Sequence, residues 1–188
     1  MKQRIKLASA QAIANTIRDL LAPACERIEI AGSIRRKKQE VGDVEIVCIP
    51  KFERGGLFGD GEPIDLLTRL CDAHLIGGRI AHRLDKNCRK SYGAKFKRLL
   101  FEGFPLDLFS TTADQWGVIF AIRTGPAEFS HRLVTKNEHG GNMPDGMCVS
   151  DGWLRGLLTE HGDKIPCREE ADLFRAIGME MIPPEKRQ

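Results

Sequence analysis

The sequence lacks any run of apolar residues near the roughly 20 that a membrane-spanning helix requires. Its first residues are basic and then amphipathic, without the continuous apolar core of a secretion signal. With 188 residues, 41% hydrophobic and 29% charged, the chain can bury the core of one domain or of two closely packed subdomains. We therefore expect a cytoplasmic, monomeric protein that does not contact a membrane.

Closely spaced cysteine pairs are also missing, although the chain contains six cysteines. None of them forms a Cys-x-x-Cys pair, and the cysteines and histidines within residues 71–88 fit no common zinc motif. In a chain without an export signal, these cysteines are expected to be free thiols.

A strong charge of one sign is absent as well, since the formal net charge is only +3. Lysine and arginine nevertheless cluster within residues 35–38, 83–98 and 131–136. Each cluster can be an ordinary solvated surface or a contact for a polyanion, and composition alone does not decide between the two.

Hydrophobic periodicity in the first half of the chain predicts a mixed sheet with helices against it. An apolar face at steps of three and four predicts a helix over residues 7–21, and a second helix is predicted near residues 64–75. The glycine-rich segment 53–63 has no periodicity and is predicted to be an exposed loop. Alternating patterns predict strands at residues 27–32, 43–49 and 78–84 and a hairpin over residues 96–110.

From residue 111 onward the pattern becomes mainly helical. It predicts helices at residues 111–125, 126–137 and 168–178 and a small hairpin at residues 146–154. The fold class expected from these elements is α+β. The division expected is a first domain of residues 1–110 and a C-terminal helical and β subdomain of residues 111–188.

Two carboxylates, Asp43 and Glu45, stand in the strand predicted at residues 43–49. Side chains two residues apart share one face of a strand, so both acids project to the same side. Acids are poor strand residues and are costly to bury, so this face needs water or cations beside it. A half-exposed strand with a polar outer face and a cation site are both consistent with this strand alone.

Asp107 extends this pattern, because it lies between Leu106 and Leu108 in the second strand of the predicted hairpin. If the two acid-bearing strands are neighbours, three carboxylates converge on one face of the sheet. Such a trio suits two magnesium ions, which prefer oxygen ligands. Two metals about 3.5 to 4 Å apart can activate an attacking hydroxyl and stabilise a leaving phosphate.

A Gly-Ser turn and a basic run precede the first acid-bearing strand. Gly32 lets the backbone approach a ligand closely, and Ser33 offers a hydroxyl and an amide. Arg36 offers a planar fork for phosphate oxygens. Together with the following Asp-x-Glu strand, this turn has the groups that bind a triphosphate and the metals that neutralise it.

At these residues the sequence resembles the nucleotidyltransferase superfamily, and within it the X-family DNA polymerases, the relatives of DNA polymerase beta. The stretch "GSIRRKKQEVGDVEIV" at residues 32–47 follows the family pattern of Gly-Ser, two arginines and Gly-Asp-x-acid. The similarity continues through "PLDLF", "QWGVIFAIRTGPAEF" and "EEADLFRAIGMEMIPPEKR". The resemblance implies a nucleotidyltransferase palm followed by a thumb-like subdomain. It implies a reduced form, without the lyase domain and most of the DNA-gripping helical subdomain of larger relatives.

The resemblance also implies roles for individual residues. The catalytic residues and metal ligands would be Asp43, Glu45 and Asp107, with Asp107 at or near the position of the base for the primer 3'-hydroxyl. The cofactor would be two Mg²⁺ ions, for which Mn²⁺ can substitute. The nucleotide-binding residues would be Gly32, Ser33, Arg36, Gly42, Arg123, Thr124, Gly125 and Ser130. The basic clusters add five candidate contacts for DNA phosphates, which are Lys95, Lys97, Arg98, Arg132 and Lys136.

Several positions depart from the family pattern. Glu45 replaces the usual aspartate, Ile122 and Arg123 replace a Tyr-Phe pair, and Ser130 replaces an asparagine that contacts the base edge. The main hypothesis is a DNA-directed DNA polymerase that uses dNTPs on gapped or nicked primer-template DNA, as in gap filling or repair. The departures leave open a template-independent nucleotidyltransferase. A catalytically inactive module that binds DNA ends is a further alternative.

Overall fold

The computed structural model describes residues 4–55, 61–156 and 162–187, and within these ranges the chain has mixed α and β structure. Numbered along the chain, the helices are α1 (Leu7–Leu21), α2 (Gly32–Arg35), α3 (Leu66–Ile76), α4 (Trp116–Thr124), α5 (Ala127–Val134) and α6 (Glu170–Ala176). The strands are β1 (Ile5–Lys6), β2 (Cys25–Ile30), β3 (Glu40–Val41), β4 (Val44–Pro50), β5 (Phe52–Gly55), β6 (Gly61–Asp65), β7 (Ile80–His82), β8 (Phe96–Phe101), β9 (Phe104–Ser110), β10 (Met147–Ser150), β11 (Trp153–Gly156) and β12 (Asp163–Ile165).

The chain divides into two compact units. Unit 1 contains residues 1–30 and 38–110, and unit 2 contains residues 31–37 and 111–188. The sequence-based division left residues 31–37 in the first domain. In the structure this short segment belongs to the second unit.

Unit 1 is built on a five-stranded mixed sheet with the order β2-β4-β9-β8-β7. β4 and β9 are parallel, and the other neighbouring strands are antiparallel. Parallel neighbours require a crossover connection, which here contains α3, β7 and β8. The predictions of a mixed sheet and of the hairpin over residues 96–110 are confirmed.

One face of this sheet carries the core of unit 1. Val44, Ile46 and Cys48 alternate along β4 and are fully buried, as are Leu106 and Leu108 on β9. α1 contacts β2 and β4, and α3 contacts β7. The predicted helix over residues 7–21 is confirmed, and its buried residues are Ala10, Ala14, Ile17 and Leu21. Each fully buried Ile or Leu on this face contributes about 1.5–3 kcal/mol to the stability of the unit.

The segment predicted as an exposed loop, residues 53–63, is partly a strand pair. β5 and β6 are antiparallel, with Glu53 opposite Ile64 and Gly55 opposite Gly61. Backbone groups make the hydrogen bonds of a strand pair, so glycine-rich sequence does not prevent the pairing. The middle of the predicted loop, residues 56–60, lies outside the described residues.

Unit 2 contains α2, α4, α5 and α6 together with the antiparallel sheet β10-β11-β12. The predicted hairpin at residues 146–154 is confirmed, and β12 adds a third strand to it. Its hydrophobic core includes Phe129, Leu133, Leu154, Leu173 and Phe174. In the described parts of the chain, no helix has the length and apolar character needed to cross a membrane.

Candidate active site

The parallel pairing of β4 and β9 brings two of the predicted carboxylates together in unit 1. Glu45 on β4 is the register partner of Asp107 on β9. Partnered residues of neighbouring strands point to the same face of a sheet, so the two side chains lie side by side. Asp43 directly precedes β4, two residues before Glu45. The two acid-bearing strands are therefore neighbours, which is the condition stated above for the carboxylates to converge.

The carboxylates lie on the face of the sheet opposite the apolar core. Leu106 and Leu108, on either side of Asp107, are fully buried, whereas Glu45 and Asp43 are half-buried. Asp107 itself is only 8% exposed. A carboxylate that is this well covered requires hydrogen-bond or charge partners, because burying an uncompensated charge is costly.

Two arginines lie against Asp107. Arg98 on β8 is its register partner on the other side of β9, and Arg98 Nε lies 3.4 Å from Asp107 Oδ1. Arg83 follows β7, and its Nη1 lies 3.6 Å from the same oxygen. Arg98 was predicted as a DNA contact, and the structure places its guanidinium group beside a predicted metal ligand instead.

The donor set of unit 1 fits magnesium in its chemistry, since carboxylate oxygens are the ligands that this ion prefers. In the parts of the chain that the structure describes, however, no three acidic, histidine or cysteine side chains are arranged to hold a metal ion. Asp107 Oδ1 instead faces two guanidinium groups. The strand register thus pairs Glu45 with Asp107, while the side chains adopt an arrangement in which arginine balances the charge of Asp107.

The predicted phosphate-binding turn belongs to unit 2 and is not a simple turn. Residues Gly32–Arg35 form the one-turn helix α2, and Gly32 has a φ of +61°, a conformation that favours glycine. Ser33 is half-buried, and an Nη1 group of Arg36 donates a hydrogen bond to the carbonyl oxygen of Thr124. Gly42, the remaining predicted phosphate contact, lies in unit 1 between β3 and β4.

Arg35 anchors the α2 segment within unit 2. Its Nη1 and Nη2 donate to Glu170 Oε1 and Oε2 at 2.9 and 2.6 Å, which is a bidentate pair. Arg187 Nη1 donates to Glu170 Oε1 at 2.6 Å, so one carboxylate accepts from two arginines. Arg35 also lies over the Phe120 ring at 3.9 Å from its centroid.

The charge network around Glu170 changes its acidity. Burial alone would raise the pKa of Glu170, but hydrogen bonds from Arg35 and Arg187, together with their charges, outweigh burial and lower the pKa. Glu170 is 4% exposed, so it remains charged within the protein only because both arginines lie beside it. Glu170 and Arg187 were not predicted from the sequence as functional residues, and Arg35 was predicted only as part of the basic run.

The predicted nucleotide contacts at the end of α4 have different environments. Thr124 is fully buried and its hydroxyl accepts a hydrogen bond from Arg35 Nη1 at 2.7 Å. Ser130 Oγ donates to the Ile122 carbonyl at 2.6 Å. Arg123 is exposed. Gly125 caps α4, and a Cβ atom there would lie 2.5 Å from Phe129. The nucleotide contacts at Arg123, Thr124, Gly125 and Ser130 remain predictions.

The predicted DNA contacts also divide by environment. Lys95 and Arg132 are exposed, and Lys136 is half-buried with its Nζ 3.4 Å from Glu138. Lys97 is only 1% exposed, because its register partner is Leu108 and its side chain lies on the core face of the sheet. Its Nζ donates to the Gly93 carbonyl at 3.0 Å. Burial makes Lys97 the least accessible of the five predicted DNA contacts, which remain predictions.

The C-terminal part of the chain matches the family model of the DNA polymerase beta thumb, over residues 123–188. The match begins in the last turn of α4 and includes α5, the three-stranded sheet and α6. It supports a relationship with the X-family polymerases. The comparison with curated proteins gave no match.

Proposed function

We propose that the chain is a small DNA-directed DNA polymerase that transfers dNMP from a dNTP to a primer 3'-hydroxyl in gapped or nicked DNA. The observation that carries this proposal is the parallel register that sets Glu45 beside Asp107 on one sheet face. The thumb match over residues 123–188 supports DNA as the partner, since the matching family is a DNA polymerase family.

The three carboxylates of unit 1 have the central role in this proposal. Asp43, Glu45 and Asp107 would hold two Mg²⁺ ions, or Mn²⁺ in their place. When bound, such ions stabilise the attacking and the leaving oxygens of a phosphoryl transfer. Asp107, the most buried of the three, would accept the proton of the primer 3'-hydroxyl.

The triphosphate would be bound by Ser33, Arg36 and the amide of Gly42. Ser33 offers a half-buried hydroxyl beside the left-handed Gly32, where the absence of a side chain permits close approach. Arg35 would act as a positioning residue, because its bidentate pair with Glu170 fixes the segment that carries Ser33 and Arg36.

A primer-extension assay tests the proposal. We expect the full chain to extend the primer of a gapped duplex in the presence of Mg²⁺ and four dNTPs. Asp107→Asn and Asp43→Asn should each reduce the rate by about a hundredfold or more, because each loses a metal ligand and Asp107→Asn also loses the proton acceptor. Glu102→Gln is the matched control, since Glu102 is an exposed carboxylate at the turn between β8 and β9.

Two outcomes would contradict the proposal. One is the absence of extension by the wild-type chain, and the other is undiminished extension by both aspartate variants. DNA binding without any extension would favour an inactive module that binds DNA ends.

A template-independent nucleotidyltransferase is the second candidate, and the position of Ser130 favours it. The hydroxyl of Ser130 donates to the carbonyl of Ile122 on the preceding helix, so it already has a protein partner where the family has a base-contacting asparagine. Changing the template base in the same gapped duplex separates the two functions. A product whose composition ignores the template supports the second candidate, whereas a product complementary to each template supports the polymerase.

A further inference from the structure

We propose that Arg98 and Arg83 form a cationic clamp on Asp107 that competes with a divalent metal ion for this carboxylate. The inference rests on the proposed function, because it concerns one of the three metal ligands named there. It assigns both arginines as positioning residues. From the sequence, Arg98 was predicted only as a DNA contact, and Arg83 was given no role of its own.

The strand register fixes one half of this clamp. Asp107 lies on β9 between Glu45 on β4 and Arg98 on β8, and all three are register partners across the sheet. Their side chains therefore form one row on the same face, in the order acid, acid, base. The position of Arg98 beside Asp107 follows from backbone pairing, and does not depend on a single side-chain rotamer.

Arg83 forms the other half and is held by the same strand. Its backbone amide donates to the carbonyl of Arg98 at 3.2 Å. Its Nη1 is buried and, within the described ranges, makes no hydrogen bond, although it lies 3.6 Å from Asp107 Oδ1. The charge of this buried nitrogen is therefore balanced chiefly by Asp107, which requires both groups to remain together.

Competition with a metal follows from simple electrostatics. A divalent ion bound to Asp107 would lie within a few ångströms of both guanidinium groups, which carry charge of the same sign. Both arginines are partly buried, with 34% and 23% of their side chains exposed, so solvent screens this repulsion only in part. This repulsion weakens the apparent metal affinity of Asp107, and an ion that binds Oδ1 itself also replaces the two arginine contacts to that oxygen.

The test measures Mn²⁺ binding by the full chain, using the electron paramagnetic resonance signal of free Mn²⁺, without DNA or nucleotide. We expect Arg98→Gln to bind Mn²⁺ about tenfold more tightly than wild type, because one competing charge is removed. Arg83→Gln should show a similar gain and the double variant a larger one. Arg98→Lys keeps the charge and should remain closer to wild type than Arg98→Gln does.

Arg79→Gln serves as the matched control. Arg79 precedes β7 in the same unit and pairs with the exposed Glu102 at 3.3 Å, away from the carboxylate row. The Mn²⁺ affinity of the Arg79→Gln variant should equal that of wild type. Thermal unfolding of each variant shows whether it is folded, and Arg83→Gln tests the clamp by itself if Arg98→Gln does not fold.

The possible failures are distinguishable. Suppose that wild type binds Mn²⁺ and that Asp107→Asn binds it more weakly. If neither arginine variant then binds Mn²⁺ more tightly than wild type, the clamp is wrong and the proposed function stands. If wild type and both arginine variants all fail to bind Mn²⁺, the clamp and the metal site of the proposed function are both wrong. The clamp is supported if Arg98→Gln and Arg83→Gln bind Mn²⁺ more tightly than wild type while Arg79→Gln does not.

Discussion

Glu170 concentrates more charge in one buried place than any other residue described above. It accepts hydrogen bonds from Arg35 and Arg187 while only 4% exposed. A buried ion pair is not a large net source of stability, but removing one partner leaves the others uncompensated. The stability of unit 2 should therefore be unusually sensitive to this one side chain.

Glu170→Gln should lower the free energy of unfolding by about 3 kcal/mol at neutral pH, because two guanidinium groups would face a neutral amide. Urea denaturation measures the change. Glu185→Gln is the control, since Glu185 pairs with Lys37 at 2.7 Å on the surface and should have a much smaller effect. Equal destabilisation by the two variants would contradict the role given to Glu170.

Wild type and Glu170→Gln can also be compared as a function of pH. The pKa of Glu170 in the folded protein lies below its ordinary value of 4.5, so the unfolded chain takes up a proton first as the pH falls. The stabilisation from charged Glu170 is present above pH 4.5 and is lost as the pH falls toward the folded-state pKa. The difference between wild type and Glu170→Gln in urea denaturation should therefore shrink below pH 4.5. A difference that stays constant would contradict this assignment.

Gly125 is a second sensitive residue, for a steric reason. A Cβ atom at this position would lie 2.5 Å from Phe129 Cδ1 and 2.6 Å from Ser130 Oγ. Gly125→Ala should therefore destabilise the protein by about 1–3 kcal/mol, measured by urea denaturation. Gly93→Ala is the control, because its nearest contact would be an ordinary 3.9 Å from the Phe96 carbonyl. Equal stabilities of the two variants would contradict this prediction, because they would show that Phe129 and Ser130 can move away from the added Cβ atom at little cost.

At the scale of elements, β8 shows what a sequence pattern can and cannot predict. The hairpin of β8 and β9 was predicted correctly from two apolar runs separated by a short turn. The sequence did not show which face of β8 is buried. Phe96 shares one face with Arg98, and Lys97 shares the other face with Leu99. Alternation is informative only when polar and apolar residues separate by face, and in β8 each face carries both.

The two environments of lysine near β8 lead to a prediction for DNA binding. For Lys95→Gln, the slope of log DNA affinity against log salt concentration should be less steep by about 1, as expected for one lost phosphate contact. Lys97→Met should leave this slope unchanged, because the Lys97 side chain is buried. Fluorescence anisotropy of a labelled gapped duplex over a range of salt concentrations measures both slopes. A reduced slope for Lys97→Met would contradict the assignment of Lys97 to the core face.

The faces on which the three acids lie were easier to predict from the sequence than the environment of α2. Asp43, Glu45 and Asp107 stand in short strands with apolar neighbours, so the pattern itself placed them on polar faces. Arg35 gives no such signal, since its partner Glu170 is 135 residues away and the first turn of α6 reads as an ordinary acidic helix start. Long-range ion pairs of this kind leave no periodic pattern in a sequence.

At the scale of the whole molecule, the residues with predicted roles are found in both units. Unit 1 contains the three carboxylates, Gly42, Arg83 and Arg98, and unit 2 contains Ser33, Arg36 and the residues that match the thumb model. The predicted division places residues 1–110 in one domain and residues 111–188 in the other. The structure assigns residues 31–37 to unit 2, so the chain leaves unit 1, contributes seven residues to the other unit and returns.

The assignment of residues 31–37 to unit 2 has a consequence for synthesis on the ribosome. Arg35 is translated 135 residues before its partner Glu170. At typical rates of about 5–20 residues per second, Arg35 waits on the order of ten seconds for that partner. Residues 31–37 therefore cannot reach their final place while the chain is being made through unit 1. The segment that we propose binds the triphosphate is therefore translated before most of unit 1 and is fixed in position only after Glu170 has been made.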